Sequence, residues 1–423
     1  MRVCLFEDQP QSLEPLTLTR PVFDLRCGIA TLSAKIWRHF QATARGALVR
    51  PAVADIFASE QANVACNDNW WLGNQPTLLV NGRWLPPATK TTLPEGSCVG
   101  LVDGELAYVK LSAEQLRFVT LPQLADCLDH WTRTLPPQNA GGALVRYPWQ
   151  LVEANGRQII EDFAAYAPAP SAVGSHVGLV GPRDQLWIHP SARVDPMVVA
   201  DTTSGPVVID QDAVIHPFTR LEGPCYVGPG AQILGAKIRA GTTIGPCCRI
   251  GGEVEASILQ GYVNKYHEGF LGHSYVGAWV NLAAGTHTSD LRCDYGEVTM
   301  TVQGSPVPTG LRKIGALIGD HTRTGLGVLL NTGTTIGACC LLLQGGGFAP
   351  RRVPSFTRWA NGRLEEMKGV AEQAETTRIV MERRGQALTR LQRDLLEAIW
   401  NDTASERKAS LRQAELQRLR RSA

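Results

Sequence analysis

An aliphatic residue every six positions constrains this chain more than any other feature. Ile188 and Val194 open the run, Ile209, Ile215, Leu221, Val227 and Ile233 resume it, and Ile238, Ile244 and Ile250 continue after a one-residue slip. Val276 and Leu282, then Ile318 and Ile336, carry it further. A period of six belongs neither to an α-helix nor to an alternating strand. It fits a stacked coil with three short faces, each turning one aliphatic side chain inward. Gly, Asp, His and Pro follow many of these positions, as in IHPSAR, IHPFTR and VGPGAQ, and small residues at the corners permit tight turns.

The repeat is absent before about residue 165, where strand-like runs (VCLF, TLLVNG, FVTL) alternate with helical stretches (ATLSAKIWRHFQ, LPQLADCLDHWTRTL). AYAPAPSAVGS has the composition of a linker. From Leu364 the chain turns rich in Arg, Glu, Gln and Ala, and Leu388, Leu391, Leu395, Leu396 and Ile399 give a helix one apolar edge. The expected organisation is an α/β domain over 1–165, a parallel β-helix over 175–350 and a helical segment over 362–423.

Lys plus Arg (41) nearly cancels Asp plus Glu (39), which leaves no net field to hold nucleic acid or an anionic membrane. The eleven cysteines are odd in number, and Cys247-Cys248 and Cys339-Cys340 are adjacent, a spacing that suits neither ordinary bridges nor CxxC knuckles. They read as small buried hydrophobes in a reducing cytoplasm. MRVCLFEDQP lacks the pattern of a signal peptide, and no apolar run approaches a membrane span.

The segment NKYHEGFLGHSYVGAWVNLAAGTHTSDLRCDY (264–295) resembles the acetyltransferase half of the bifunctional glucosamine-1-phosphate acetyltransferase and N-acetylglucosamine-1-phosphate uridylyltransferase family. The resemblance implies a left-handed β-helix, a homotrimer and acetyl-CoA as acyl donor. It places His267 on the catalytic histidine, Phe270 on a substrate-contacting tyrosine and Asn281 on an active-site asparagine. Cys293, Asp294 and Tyr295 fall on a Cys-Asn-Tyr element, and Lys313 on a downstream lysine. Such a site needs a neutral imidazole to take a proton from the attacking amine. It also needs donors for an oxyanion, here an amide or the N–H groups of Ala284 and Gly285. The chain departs from the family at Phe270, which lacks a hydroxyl, at Asp294, and at Glu255, an anion where a phosphate-binding lysine is expected. His267, His273, His287 and His321 leave open a zinc site like that of β-helix carbonic anhydrases.

The whole chain also resembles sugar nucleotidyltransferase-like proteins fused to a β-helix, through LEPLTLTRPVFDLRCG, NGRWLP, YPWQLVEANGRQIIEDF and TGLRKIGALIGDHTRTGLGVLLNTGT. That resemblance implies a nucleoside triphosphate and a sugar 1-phosphate as partners and Mg²⁺ as the metal. The glycine-rich loop that usually follows the first strand is missing, which leaves Arg20, Arg26, Asn81 and Arg83 as phosphate or nucleotide contacts and Asp8 as the metal ligand. The expected activity is transfer on sugar phosphates or sugar nucleotides. The other class kept open is a trimeric scaffold that binds a sugar nucleotide without turnover.

Overall fold

The computed structural model describes residues 1–166 and 177–422. All but the first two residues of the expected linker lie outside them. The chain divides into two units. One holds Met1–Leu13, Thr19–Leu25 and Ala30–Tyr147; the other holds Glu14–Leu18, Arg26–Ile29 and the chain from Pro148 onward.

The first unit is built on seven strands: β1 (Arg2–Phe6), β2 (Ala44–Leu48), β3 (Ala65–Cys66), β4 (Thr77–Asn81), β5 (Cys98–Val102), β6 (Glu105–Leu111) and β7 (Pro137–Asn139). Their spatial order is β7-β5-β6-β4-β1-β2-β3. β4, β1, β2 and β3 run parallel, while β6 is antiparallel to both β4 and β5. The near-continuous apolar runs of β1 and β4 suit strands covered on both faces, and all of TLLVN is buried. Cys4, Phe6, Leu79, Val109 and Trp131 share one core. The chain leaves β1 towards β2 on one side and later fills β4 on the other, so the order reverses at the β1/β4 pair, where open α/β sheets place their ligands.

ATLSAKIWRHFQ contains the helix Leu32–His39, capped by the Thr31 hydroxyl. FVTL, expected as a strand, is not one. Ser112 and Gln115 form a capping box that starts the helix Ala113–Leu116 just upstream, and Pro122 stands in a 3-10 turn just downstream. Phe118 is left 80% exposed while Val119 turns into the core.

In the second unit the repeat forms a three-faced parallel β-helix. One face stacks nine short strands, from Leu186–Ile188 through Val207–Ile209, Cys225–Val227 and Thr242–Ile244 to Arg352–Val353. Ile209, Ile215, Leu221, Val227, Ile233, Ile238, Ile244 and Ile250 all lie in one core. The one-residue slip corresponds to the strand Gln232–Ile238, where the register shifts between Leu234 and Lys237. One corner repeats a left-handed backbone on successive coils, at Cys247, Tyr262, Trp279, His321, Cys339 and Phe356. The rings of Tyr262 and Trp279 stack there, 4.1 Å apart, with His321 beyond. All eleven cysteines are free, and the second of each adjacent pair, Cys248 and Cys340, points into the core.

Residues 290–313 leave the coil as an excursion that carries the hairpin Thr299–Val302/Ser305–Pro308. The strand Arg363–Glu366 pairs antiparallel with Thr357–Ala360, so helix begins at Val370 and not at Leu364. The helix Val370–Glu382 and the turn after it run back along the aromatic corner. Arg323 donates to Gln373 Oε1 (2.9 Å), and Arg384 donates to Cys247 O (3.4 Å). Eleven helical residues rise about 16 Å, close to the roughly 14 Å of three stacked coils. Leu395, Leu396 and Ile399 form the buried edge of the helix Arg390–Asp402. Among the described residues no helix is long and apolar enough to cross a membrane.

Candidate active sites

The carboxyl ends of β1, β2 and β4 gather Glu7, Asp8, Arg50, Asn81 and Arg83. Apolar strand interiors hold these side chains at fixed heights, and the polar residues begin where each strand ends. Arg83 is 1% exposed. Its guanidinium pairs with Asp8, lies 3.8 Å from Glu105 and donates to Val145 O (3.3 Å). Asn81 Nδ2 donates to Asp8 Oδ2 and to Leu106 O (both 3.0 Å), and its Oδ1 accepts the Arg83 N–H (3.0 Å). Asp8 Oδ1 has no partner among the described residues. Arg50 pairs with Glu7 and donates to Arg20 O (3.2 Å). Burial pushes the Glu7 carboxyl up from its ordinary range, against the charge of Arg50 and the N–H groups of Arg50 and Val22.

Of the expected phosphate contacts, Asn81 and Arg83 are therefore built into a network that orients Asp8. Arg20 lies beside this network, half-buried, with its guanidinium near the Thr19 hydroxyl. Arg26 belongs to the second unit. Its backbone N–H donates to Tyr275 Oη (2.8 Å), and its guanidinium donates to Gln260 O (3.1 Å) and Ile29 O (3.4 Å). Those bonds make Arg26 an anchor for the RCGI segment. The partners lie more than two hundred residues downstream, and no local pattern announces them.

On the β-helix, His267 lies at an exposed corner, its ring 5.1 Å from that of Tyr266, with no hydrogen bond to either ring nitrogen among the described residues. Gly285 N–H donates to Glu268 O (2.9 Å), which stacks the His267 turn on the Ala284–Gly285 turn of the next coil. That bond removes Gly285 from the pair of expected oxyanion donors; the Ala284 N–H has no acceptor among the described residues. Asn264 Nδ2 donates to Asn281 Oδ1 (2.7 Å), a rung between coils that leaves Asn281 Nδ2 without an acceptor there. Beneath the loop lies a residue that sequence reasoning missed. Lys265 is 2% exposed, and its ammonium donates to Gly251 O (2.8 Å), Gly269 O (2.6 Å) and His267 O (3.4 Å). Burial brings this ammonium down to about 8, against the charges of Glu268 and Glu253.

Phe270 pairs in register with Glu253, and Gly272 with Glu255, on the outward face next to this corner. At the far end of that face His273 Nδ1 lies 2.7 Å from Asp290 Oδ2. Burial alone would raise the Asp290 carboxyl, but the hydrogen bond and charge of His273, together with Lys313, outweigh it and hold the group below its ordinary range. Nδ1 is thus the donor, and Nε2 has no partner among the described residues. Lys313 sits 3.5 Å from Glu255. Cys293, Asp294 and Tyr295 form an exposed turn on the excursion, where Arg292 donates to Asp294 (2.8 Å). His287 Nδ1 accepts the Phe270 N–H (3.1 Å). Among the described residues no three His, Cys, Asp or Glu side chains are grouped to hold a metal ion.

Residues 3–168 match the family described as sugar nucleotidyl transferase. A bifunctional sugar-1-phosphate nucleotidylyltransferase/acetyltransferase of Sulfurisphaera tokodaii is 37% identical over 153 residues, which cover 33% of this chain and 36% of that protein. The bifunctional protein GlmU of Methanococcus maripaludis (strain C7) is 35% identical over 96 residues, 21% of this chain and 23% of that one. The chain thus spans between about a quarter and a third of the length of these curated relatives. An Arabidopsis UDP-N-acetylglucosamine acyltransferase structure shares 13% identity over 47% of this chain and 79% of that one, at a TM-score of 0.22.

Proposed function

We propose that this chain is a transferase acting on sugar phosphates or sugar nucleotides, with two chemistries. Nucleotidyl transfer from a nucleoside triphosphate to a sugar 1-phosphate takes place at the carboxyl ends of β1 and β4, and acetyl-CoA-dependent N-acylation takes place at the β-helix corner of His267. The names of both curated relatives point to bifunctional proteins, and one joins these two activities. The observation that carries the acyl-transfer half is the corner itself: an exposed imidazole stacked by one coil on a backbone N–H and near an amide NH₂ that both lack acceptors. A cytoplasmic homotrimer belongs to the same proposal.

When bound, Mg²⁺ neutralises phosphate oxygens, and acetyl-CoA presents its acyl group as a thioester. Asp8 fits the metal role through Oδ1, because Arg83 and Asn81 hold only Oδ2. Arg20 would face the phosphates; Arg83 and Asn81 would act by fixing Asp8. At the other site His267 takes the proton of the acceptor amine as the C–N bond forms, and gives it to the departing thiolate as the C–S bond breaks. The Ala284 N–H and Asn281 Nδ2 donate to the oxyanion between those two events. Phe270, Lys313, Asp294 and Tyr295 would line the approach of the substrates.

Full-length protein given acetyl-CoA and an amino sugar should release free thiol, and His267→Ala should slow that release by about 10²-fold or more. Unchanged release in the variant would remove His267 as the base. The committed guanidiniums of Arg83 and Arg50 favour a second possibility for the N-terminal unit, ligand binding without turnover. Calorimetric titration with UTP and sugar nucleotides beside a pyrophosphate-release assay separates the two, since turnover excludes a pure sensor.

A further inference from the structure

The outward face between His267 and His273 carries more carboxylate than free cation. Glu253, Glu255 and Asp290 line it, with Glu268 at the His267 corner. Its cations are matched: Lys237 with Glu253 (4.0 Å), Arg239 with Glu253 (3.2 Å), Glu222 (3.6 Å) and Glu255 (3.9 Å), and Lys313 with Glu255 (3.5 Å). Lys265, the cation nearest His267 in the chain, is turned inward to three carbonyls. The Arg292 guanidinium on the excursion is held by Asp294. Arg312, exposed beside Lys313 in the chain, is the cation of the excursion's return strand without a carboxylate partner among the described residues.

Gly272 is what allows Asp290 to lie against this face. A Cβ at that position would stand 2.6 Å from Asp290 Oδ2 and 2.6 Å from the Phe270 ring. The carboxylate and the aromatic ring therefore flank one bare stretch of strand. A phosphate brought there would meet Glu255 and Asp290 and would have to displace existing ion pairs. An ammonium would meet those carboxylates directly, and the Phe270 ring offers an apolar surface on which a pyranose can rest.

We propose that the acceptor taken on this face is an amino sugar that carries no phosphate, bound as its ammonium by Glu253, Glu255 and Asp290 and packed on Phe270. The proposal rests on the acyl-transfer function given above and names its substrate class. It places acylation before the sugar is phosphorylated, or on an acceptor whose phosphate projects away from the coil.

The test compares glucosamine and galactosamine with their 1-phosphates, using the full-length protein, acetyl-CoA and a thiol-release readout. We expect kcat/KM at least 10-fold higher for the free amino sugars. Glu255→Lys, which joins Lys313 and Arg239 in one cationic cluster, should narrow or invert that ratio, and Asp290→Asn should raise KM for the free amino sugar more than it lowers kcat. Equal or better use of the 1-phosphates by the unaltered protein overturns the proposal, as does a ratio unmoved by Glu255→Lys. Calorimetric titration of the same four sugars without acetyl-CoA keeps the two failures apart. If no thiol is released with any acceptor, the acyl-transfer function falls, and the titration still decides the substrate class: tighter binding of a 1-phosphate, or no binding at all, refutes it.

Discussion

Replacing Arg83 with Met removes a cation from a place where it has no contact with solvent and leaves three acceptors behind. Asp8 and Glu105 are each about one-third exposed on their side chains, so water re-solvates both carboxylates and the usual cost of about 3–5 kcal/mol for breaking a buried ion pair is reduced. Val145 O loses a donor, at roughly 1–3 kcal/mol if it remains dry, while the methionine stem replaces most of the lost packing. The net expectation is a loss of about 2–3 kcal/mol. At roughly 2–4 °C per kcal/mol for a unit of this size, the melting midpoint should fall by about 4–12 °C. Differential scanning calorimetry reads the stability, and titration with UTP well below the variant's midpoint reads the function. Because Arg83 is tied to Asp8 and not open to a phosphate, UTP affinity without metal should change less than about 3-fold. A variant that melts within a degree of the unaltered protein yet binds UTP ten times more weakly would refute the structural role and return Arg83 to phosphate binding.

Three further outcomes follow from the β-helix. A Cβ at Gly315 would stand 1.9 Å from Gly272 O and 2.3 Å from Ser274 Oγ, so Gly315→Ala should lower the thermal midpoint by several degrees or abolish soluble expression; a neutral result would mean the coils can shift apart. Lys265 titrates near 8 when folded and near 10.4 when unfolded, so the unfolded chain binds more protons between those values and stability should rise with pH across that window, by on the order of 3 kcal/mol. Lys265→Met should lack this rise in urea titrations run from pH 8 to 10. Asp290, held below its ordinary range, stabilises the fold above about pH 4 and ceases to do so as pH falls through its folded value, so Asp290→Asn should flatten the acid limb of the stability profile.

The fold was legible wherever one residue type repeats for one physical reason. Ile209, Ile215, Leu221, Val227 and Ile233 each mark an inward position, and even the irregularity before Ile238 has its counterpart in the register shift at Leu234/Lys237. FVTL misled because strand-like composition says nothing of a capping box just upstream. The sites were legible only in part. His267 sits in a recognisable loop, but Lys265 beneath it looks like any surface lysine until three carbonyls are seen to converge on its ammonium. His273 and Asp290 are seventeen residues apart and meet because the excursion leaves the coil at Asp290, a junction that no local pattern encodes. Arg26 had the right chemistry for a phosphate, and only its distant partners Gln260 and Tyr275 reveal what it holds.

The helix Val370–Glu382 changes how such a stack can come apart. In a simple solenoid each coil touches only its neighbours, and the terminal coil can peel away at little cost. Here the Gln373–Arg323 and Arg384–Cys247 bonds fasten one continuous rod to coils three steps apart, so lifting the last coil means first unzipping the rod from several others. The tail acts as a splint, and it turns a chain of nearest-neighbour contacts into a body that opens late and all together.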